Sequence, residues 1–184
     1  MSLSDLSDET KDYFKKLPGY DTLRMVLSTD PILCEGPSDE LIIQKAYINR
    51  YGKLPIEDGV DIITVKGLSF KRFLEIAKLL GKKVSVVTDN DGDIDGLINK
   101  YKDYNGIDGI HICYDNDIEY KTLEPQICKV NDLDTLNSVL EKNYKTKKEI
   151  QDYMINNKTT SALKIFESDK SINLPRYIYD AIKK

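Results

Sequence analysis

The 184-residue chain has no apolar run approaching the ~18 residues that a membrane span needs, and no signal peptide opens it. Those absences argue against a spanning or secreted protein. Histidine occurs once, as His111 between Ile110 and Ile112, a setting that suits a core or edge residue better than a catalytic one. The three cysteines, Cys34, Cys113 and Cys128, stand at no metal-ligand spacing and read as reduced, mostly buried thiols of a cytoplasmic protein. There is no linker, internal repeat or low-complexity segment. There is no G-x-x-x-x-G-K-[ST] loop, so the chain is not itself a P-loop ATPase. Nor is there an excess of positive charge. The net charge of -4 speaks against a general nucleic-acid binder, which carries a basic face.

What is present is a globular composition, 40% hydrophobic and 32% charged, in a length that suits one well-cored domain. Charge is unevenly spread. Acids outnumber bases over residues 81–125, and bases outnumber acids over 140–184. That distribution suits a metal site with a phosphate-facing flank, although lysine-rich stretches such as "EKNYKTKKE" are mainly solvated helix faces.

Strand and helix signals alternate along the chain. Short apolar runs at 31–36, 60–67, 82–89 and 108–114 predict four strands. Between them, 38–52 reads as a helix capped by Ser38 or Asp39 and ended by Gly52, 69–81 as an amphipathic helix, and 95–104 as a third. One or two helices precede this core. After "TLEPQI" the tail turns helical, with Pro175 suited to the first turn of the last helix. The pattern predicts an α/β fold with a parallel sheet covered by helices on both faces. We expect a helical lead-in over 1–30, with 1–3 as tag residues, a core over 31–128 and a helical extension over 129–184. The chain begins mid-pattern and reads as a piece of something longer.

"VSVVTDNDGDIDG" (84–96) sets four aspartates, Asp89, Asp91, Asp93 and Asp95, at alternate positions after a buried strand. Ligands of open parallel sheets bind at the carboxyl ends of strands. Glu35 ends the first predicted strand, with Asp39 one helical turn on, and Asp115, Asp117, Glu119 and Glu124 follow the fourth. Acids gathered at one rim repel one another and raise each other's pKa, and a hard divalent cation relieves the repulsion. All-oxygen ligands favour Mg²⁺, Mn²⁺ or Ca²⁺ over zinc. Two other readings remain open. An EF-hand loop starting at Asp91 fits through Gly96 but has Lys102 where a bidentate glutamate belongs. A solvated acidic turn would leave the other strand-end acids unexplained.

Glu35 after the first strand, Gly67 after the second and Asp89-x-Asp91 after the third resemble the Toprim domain of topoisomerases, primases and several nucleases. "ILCEGPSDELIIQKAY", "VKGLSFKRFLEIAKLL" and "VSVVTDNDGD" more closely resemble the OLD (overcoming lysogenization defect) family of ATP-dependent endonucleases. So do "YKTLEPQI", "NKTTSALKIFES" and "LPRYIYDAIKK", and the likeness runs from about residue 17 to the end. The resemblance implies a Rossmann-like Toprim core of about four strands and a DNA endonuclease or nickase acting through Mg²⁺ or Mn²⁺ in a two-metal mechanism, with Ca²⁺ as a supporting ion. It implies Glu35, Asp39, Asp89 and Asp91 as metal ligands and catalytic acids, Glu124 as a ligand of a second ion, and Lys158 beside the scissile phosphate. Gly67 corresponds to the motif glycine, and Ser69 starts the helix after it. Asp93 and Asp95 have no counterpart and read equally as outer acids or turn residues. The implied partners are DNA, an N-terminal ATPase domain, and a second copy in a homodimer. A Toprim RNA-processing nuclease and a non-catalytic metal-binding or assembly module are the alternatives.

Overall fold

Alternating side chains of a three-residue strand feed two separate cores in this protein. In the computed structural model, which describes residues 5–16, 19–65 and 70–183, β1 (Ile32–Cys34) turns Ile32 and Cys34 to one side of the sheet and Leu33 to the other. All three are buried, as a strand covered on both faces requires. Around it lie β2 (Ile62–Thr64), β3 (Val84–Val87) and β4 (Ile110–Cys113) in the order β2-β1-β3-β4, all parallel. Leu33 registers with Ile63 on one side and Val86 on the other, and Val87 with Cys113. The expected α/β architecture with a four-stranded parallel sheet is what the chain forms.

Each parallel step is closed by a helix. α1 (Asp8–Lys16) and α2 (Tyr20–Leu27) precede the sheet. The crossovers are α3 (Pro37–Tyr51), α4 (Phe70–Leu80) and α5 (Ile94–Tyr101). Residues of α2, α4 and α5 pack with Leu33, Ile63 and Val86 on one face of the sheet. The opposite face is covered by α3 together with five C-terminal helices: α6 (Leu123–Val130), α7 (Leu133–Leu140), α8 (Lys147–Asn156), α9 (Lys158–Glu167) and α10 (Arg176–Ala181). The apolar core therefore runs without a break from β1 into the tail, where Ile178 and Ala181 join Ile32 and Cys113.

Several local details differ from the sequence reading. The helix after β1 starts at Pro37, so Ser38 lies within its first turn, and the residue at the N-cap is Gly36. Proline suits that start because its missing N–H is one the helix would leave unpaired. "TLEPQI" does not precede the helical tail but opens it. Pro125 sits in the first turn of α6, where a proline costs nothing. A 3-10 turn at Pro55–Asp58 lies outside the expected strands and helices. The three cysteines are free and buried. His111 is exposed on β4, an edge strand. Among the described residues no helix is long and apolar enough to cross a membrane. Gly67 and Ser69 lie outside the described residues.

Candidate metal centre

The chain leaves β1 and β3 at the same rim of the sheet, and the first polar side chains beyond them meet there. Glu35 follows β1 directly, and its Oε1 accepts a hydrogen bond from the Thr88 hydroxyl at 2.6 Å and a longer one, 3.4 Å, from the Asp89 N–H. Thr88 itself is buried, held by its N–H on the Cys113 carbonyl. Asp39 reaches back from the first turn of α3, where its Oδ2 accepts the Gly36 N–H at 2.9 Å. It thereby satisfies one of the amides a helix start leaves unpaired, near the positive end of the helix dipole.

A fourth acid arrives from the tail. Glu124, in the first turn of α6, has its carboxylate only 5% exposed, and its Oε2 lies 3.3 Å from the Lys158 ammonium and 3.2 Å from the Thr122 hydroxyl. Lys158 is the first residue of α9, with half of its side chain open to solvent. The buried charge is therefore paired, and a cation stands at the edge of the acid group.

These four carboxylates act on one another. Burial, then the charges of Asp39, Glu35 and Glu124, push Asp89 up to about 8, against the opposing pull of Lys158. Burial, then Glu35, pushes Asp39 up to about 6, offset in part by the Gly36 N–H. The nearby Cys34 thiol is buried in the apolar core and held protonated by burial and by Asp39.

The loop that presents Asp89 is fixed by a side chain the sequence reading passed over. Asn90 is 1% exposed, and its Nδ2 donates to the carbonyls of Asp115 at 2.8 Å and Asp117 at 3.0 Å, while its Oδ1 accepts the Gly92 N–H at 2.8 Å. It clamps the β3 loop to the loop after β4. Asp91, next along, is exposed and takes φ +51°, a left-handed conformation that costs a residue with a Cβ. Its N–H donates to the Lys121 carbonyl at 3.3 Å.

The remaining acids separate from the rim group. Asp93 caps α5 by accepting the Gly96 N–H at 2.9 Å, and Asp95 lies in that helix's first turn. Both are helix-start residues, and a helix beginning at Ile94 leaves no room for a twelve-residue calcium loop starting at Asp91. Asp117 pairs with Lys129 at 2.7 Å, and Asp115 accepts the Asp117 N–H at 2.8 Å. Of the acids after β4, Glu124 is the one that pairs with Lys158 at the rim.

The donors at the rim are all carboxylate oxygens, with a surplus of negative charge that protonation only partly relieves. That chemistry fits a hard divalent cation. The fit is one of charge and donor type. Among the described residues no three acidic, histidine or cysteine side chains already converge as a cage.

The metal-free protein should show this surplus in its stability. Asp39 and Asp89 stay protonated above their ordinary value of 3.8, so between pH 5 and 9 the folded state binds more protons than the unfolded state. Stability is then expected to fall as pH rises through about 6 and about 8, by on the order of a few kcal/mol. Carboxyls held low, such as Asp117 and Glu149, act only below that window. Thermal melts at pH 5, 7 and 9 check this, with Mn²⁺ flattening the trend. A melting temperature that climbs with pH in the absence of metal would contradict it.

Residues 27–91 match the family model described as the overcoming lysogenization defect protein-like Toprim domain. The matched span includes Glu35, Asp39, Asp89 and Asp91 and stops short of Glu124 and Lys158. The C-terminal region of the Burkholderia pseudomallei OLD protein superposes with a TM-score of 0.61 at 16% identity, over 84% of this chain and 94% of that one. The C-terminal region of the Xanthomonas campestris pv. campestris OLD protein gives 0.58 at 18% identity, over 86% and 92%. Those likenesses show the fold. No curated protein sequence matches the chain.

Proposed function

We propose, with residues 27–91 taken as an OLD-like Toprim domain of the nuclease type, that this chain is a divalent-metal-dependent DNA endonuclease or nickase that hydrolyses phosphodiesters by a two-metal mechanism. The observation that carries the reading is that Glu35, Asp39, Asp89 and Glu124 stand at one rim close enough to act on one another's charge, with Lys158 paired to Glu124. Glu35, Asp39, Asp89 and Asp91 would hold Mg²⁺ or Mn²⁺, and Glu124 would help hold a second ion. Bound there, such ions lower the pKa of water and neutralise charge on a phosphodiester.

The chain's own groups divide the remaining work. Thr88 and the Asp89 N–H orient the Glu35 carboxylate. The Gly36 N–H orients Asp39. Glu124 keeps the Lys158 ammonium at the rim, where it faces an incoming phosphate and steadies the charge that builds on it during displacement. Both matched structures are C-terminal regions of OLD proteins, which supports an N-terminal domain as partner of this chain; the family resemblance makes that domain an ATPase.

Lys158→Ala is expected to slow supercoiled-plasmid nicking in Mg²⁺ or Mn²⁺ by about 10²-fold, as loss of a preorganised charge on the transition state does. Its binding of Mn²⁺ should persist in calorimetry. Nicking at the wild-type rate would remove Lys158 from the mechanism. Cleavage of RNA with DNA left intact would move the assignment to an RNA-processing nuclease. Metal uptake with both nucleic acids untouched would leave a binding module.

A further inference from the structure

Tyr101 closes α5 from inside the protein. The residue is 2% exposed, and its hydroxyl is one of three buried side-chain groups, with those of Thr22 and Ser161, that lack a hydrogen-bond partner among the described residues. A buried hydroxyl without a partner is costly and calls for an explanation. This one faces the rim. The hydroxyl approaches Thr88 without completing a hydrogen bond, and the phenol is held neutral first by burial and then by the charge of Glu35. The Lys100 ammonium stands 5.1 Å from the ring centroid and 5.9 Å from that of Phe70, closing the outer side.

Thr88 determines what the phenol can do. The threonine hydroxyl already gives its proton to Glu35 Oε1 at 2.6 Å. A hydroxyl has one proton and two lone pairs, so Thr88 is left able to accept and not to donate again. The nearby phenol, neutral and unpartnered, has a proton to give. We infer that Tyr101 is a positioning residue, whose O–H donates to Thr88 Oγ1 so that the series Tyr101, Thr88, Glu35 fixes the Glu35 carboxylate toward the centre of the rim. The inference rests on the reading of Glu35 as a metal ligand. It adds a buried support to that ligand, since loss of a group that orients a metal ligand costs about 10- to 100-fold in affinity. Chained hydrogen bonds polarise one another, so each link strengthens the next. Tyr101 is enclosed and does not touch substrate, which separates this role from that of a tyrosine nucleophile.

The test compares the full chain with Tyr101→Phe, Thr88→Val, the double variant and Thr88→Ser. In calorimetry with Mn²⁺, Tyr101→Phe should raise the Kd about 10-fold, with the metal-free melting temperature lowered only slightly, by the loss of one hydrogen bond. Thr88→Val should weaken binding as well, Thr88→Ser should retain it, and the double variant should be no worse than Thr88→Val. An unchanged Kd in Tyr101→Phe, or effects that add in the double variant, would overturn the inference. A second arm needs no metal. The Tyr101 hydroxyl proton, identified in NMR by its loss in Tyr101→Phe, should be protected from exchange and should shift in Thr88→Val. An unprotected or unmoved signal counts against the series. Should the wild type take up no Mn²⁺ while that signal still responds, the metal reading fails and the hydrogen-bonded series stands.

Discussion

Asp89→Asn is expected to reduce metal-dependent nicking by at least about 10²-fold and, in the same protein, to raise the melting temperature of the metal-free form at pH 9. The two effects have one cause. Asp89 is half-buried beside Asp39, Glu35 and Glu124, and its carboxyl resists ionisation up to about 8. At pH 9 the charge must exist, uncompensated except by Lys158, and the fold carries the repulsion. An amide of the same shape removes that repulsion, for a gain of about 1–3 kcal/mol. At pH 5 the wild-type carboxyl is already protonated, so the gain should vanish. Loss of function with gain of stability is the mark of a side chain kept for what it binds. A variant destabilised at both pH values would show Asp89 to be structural. One that nicks at full rate would remove it from catalysis.

Asn90→Asp is expected to be the most damaging single-atom change near the rim. The asparagine Nδ2 donates to the carbonyls of Asp115 and Asp117, and the residue is 1% exposed. Aspartate would turn that donor into an acceptor facing two carbonyl oxygens, next to a group of acids already in mutual repulsion. Leaving buried acceptors unpaired and burying an unpaired charge together cost about 3–5 kcal/mol. For a chain of this length that lowers the melting temperature by roughly 10 °C. Mn²⁺ affinity should fall too, because the loop bearing Asp89 and Asp91 loses its tie to the loop after β4. Urea unfolding and calorimetry measure the two effects separately. A loss below about 1 kcal/mol would show that the clamp carries little.

The two residues differ in how far the sequence exposes them. Asp89 was legible because it follows a β-branched run, and strand ends of parallel sheets are where ligands bind. Glu35 and Asp39 were legible for the same reason. β1 to β4, α3 and α4 were legible from apolar period and length, which local residues determine. Asn90 looked like a spacer between two aspartates because its partners lie 25 to 30 residues further on. Tyr101 carried no signal in the sequence, since nothing nearby in the chain tells that its ring is buried close to Thr88. Asp117 and Glu119 counted in the sequence as strand-end acids, yet Asp117 turns away to Lys129. That choice depends on how α6 sits. Lys158 came only from family resemblance, and its ion pair with Glu124 spans 34 residues. Pro125 hid the start of α6, because a proline reads as a break unless its place in the first turn is known.

The central claim is that acids from β1, α3, β3 and α6 hold a divalent cation at one rim. Anomalous diffraction from a crystal soaked in Mn²⁺ tests it most directly. The account predicts an anomalous peak within ligand distance of both Asp89 and Glu35, lost in Asp89→Asn. An empty rim with manganese bound elsewhere, or with the four carboxylates undisturbed by the soak, would contradict it.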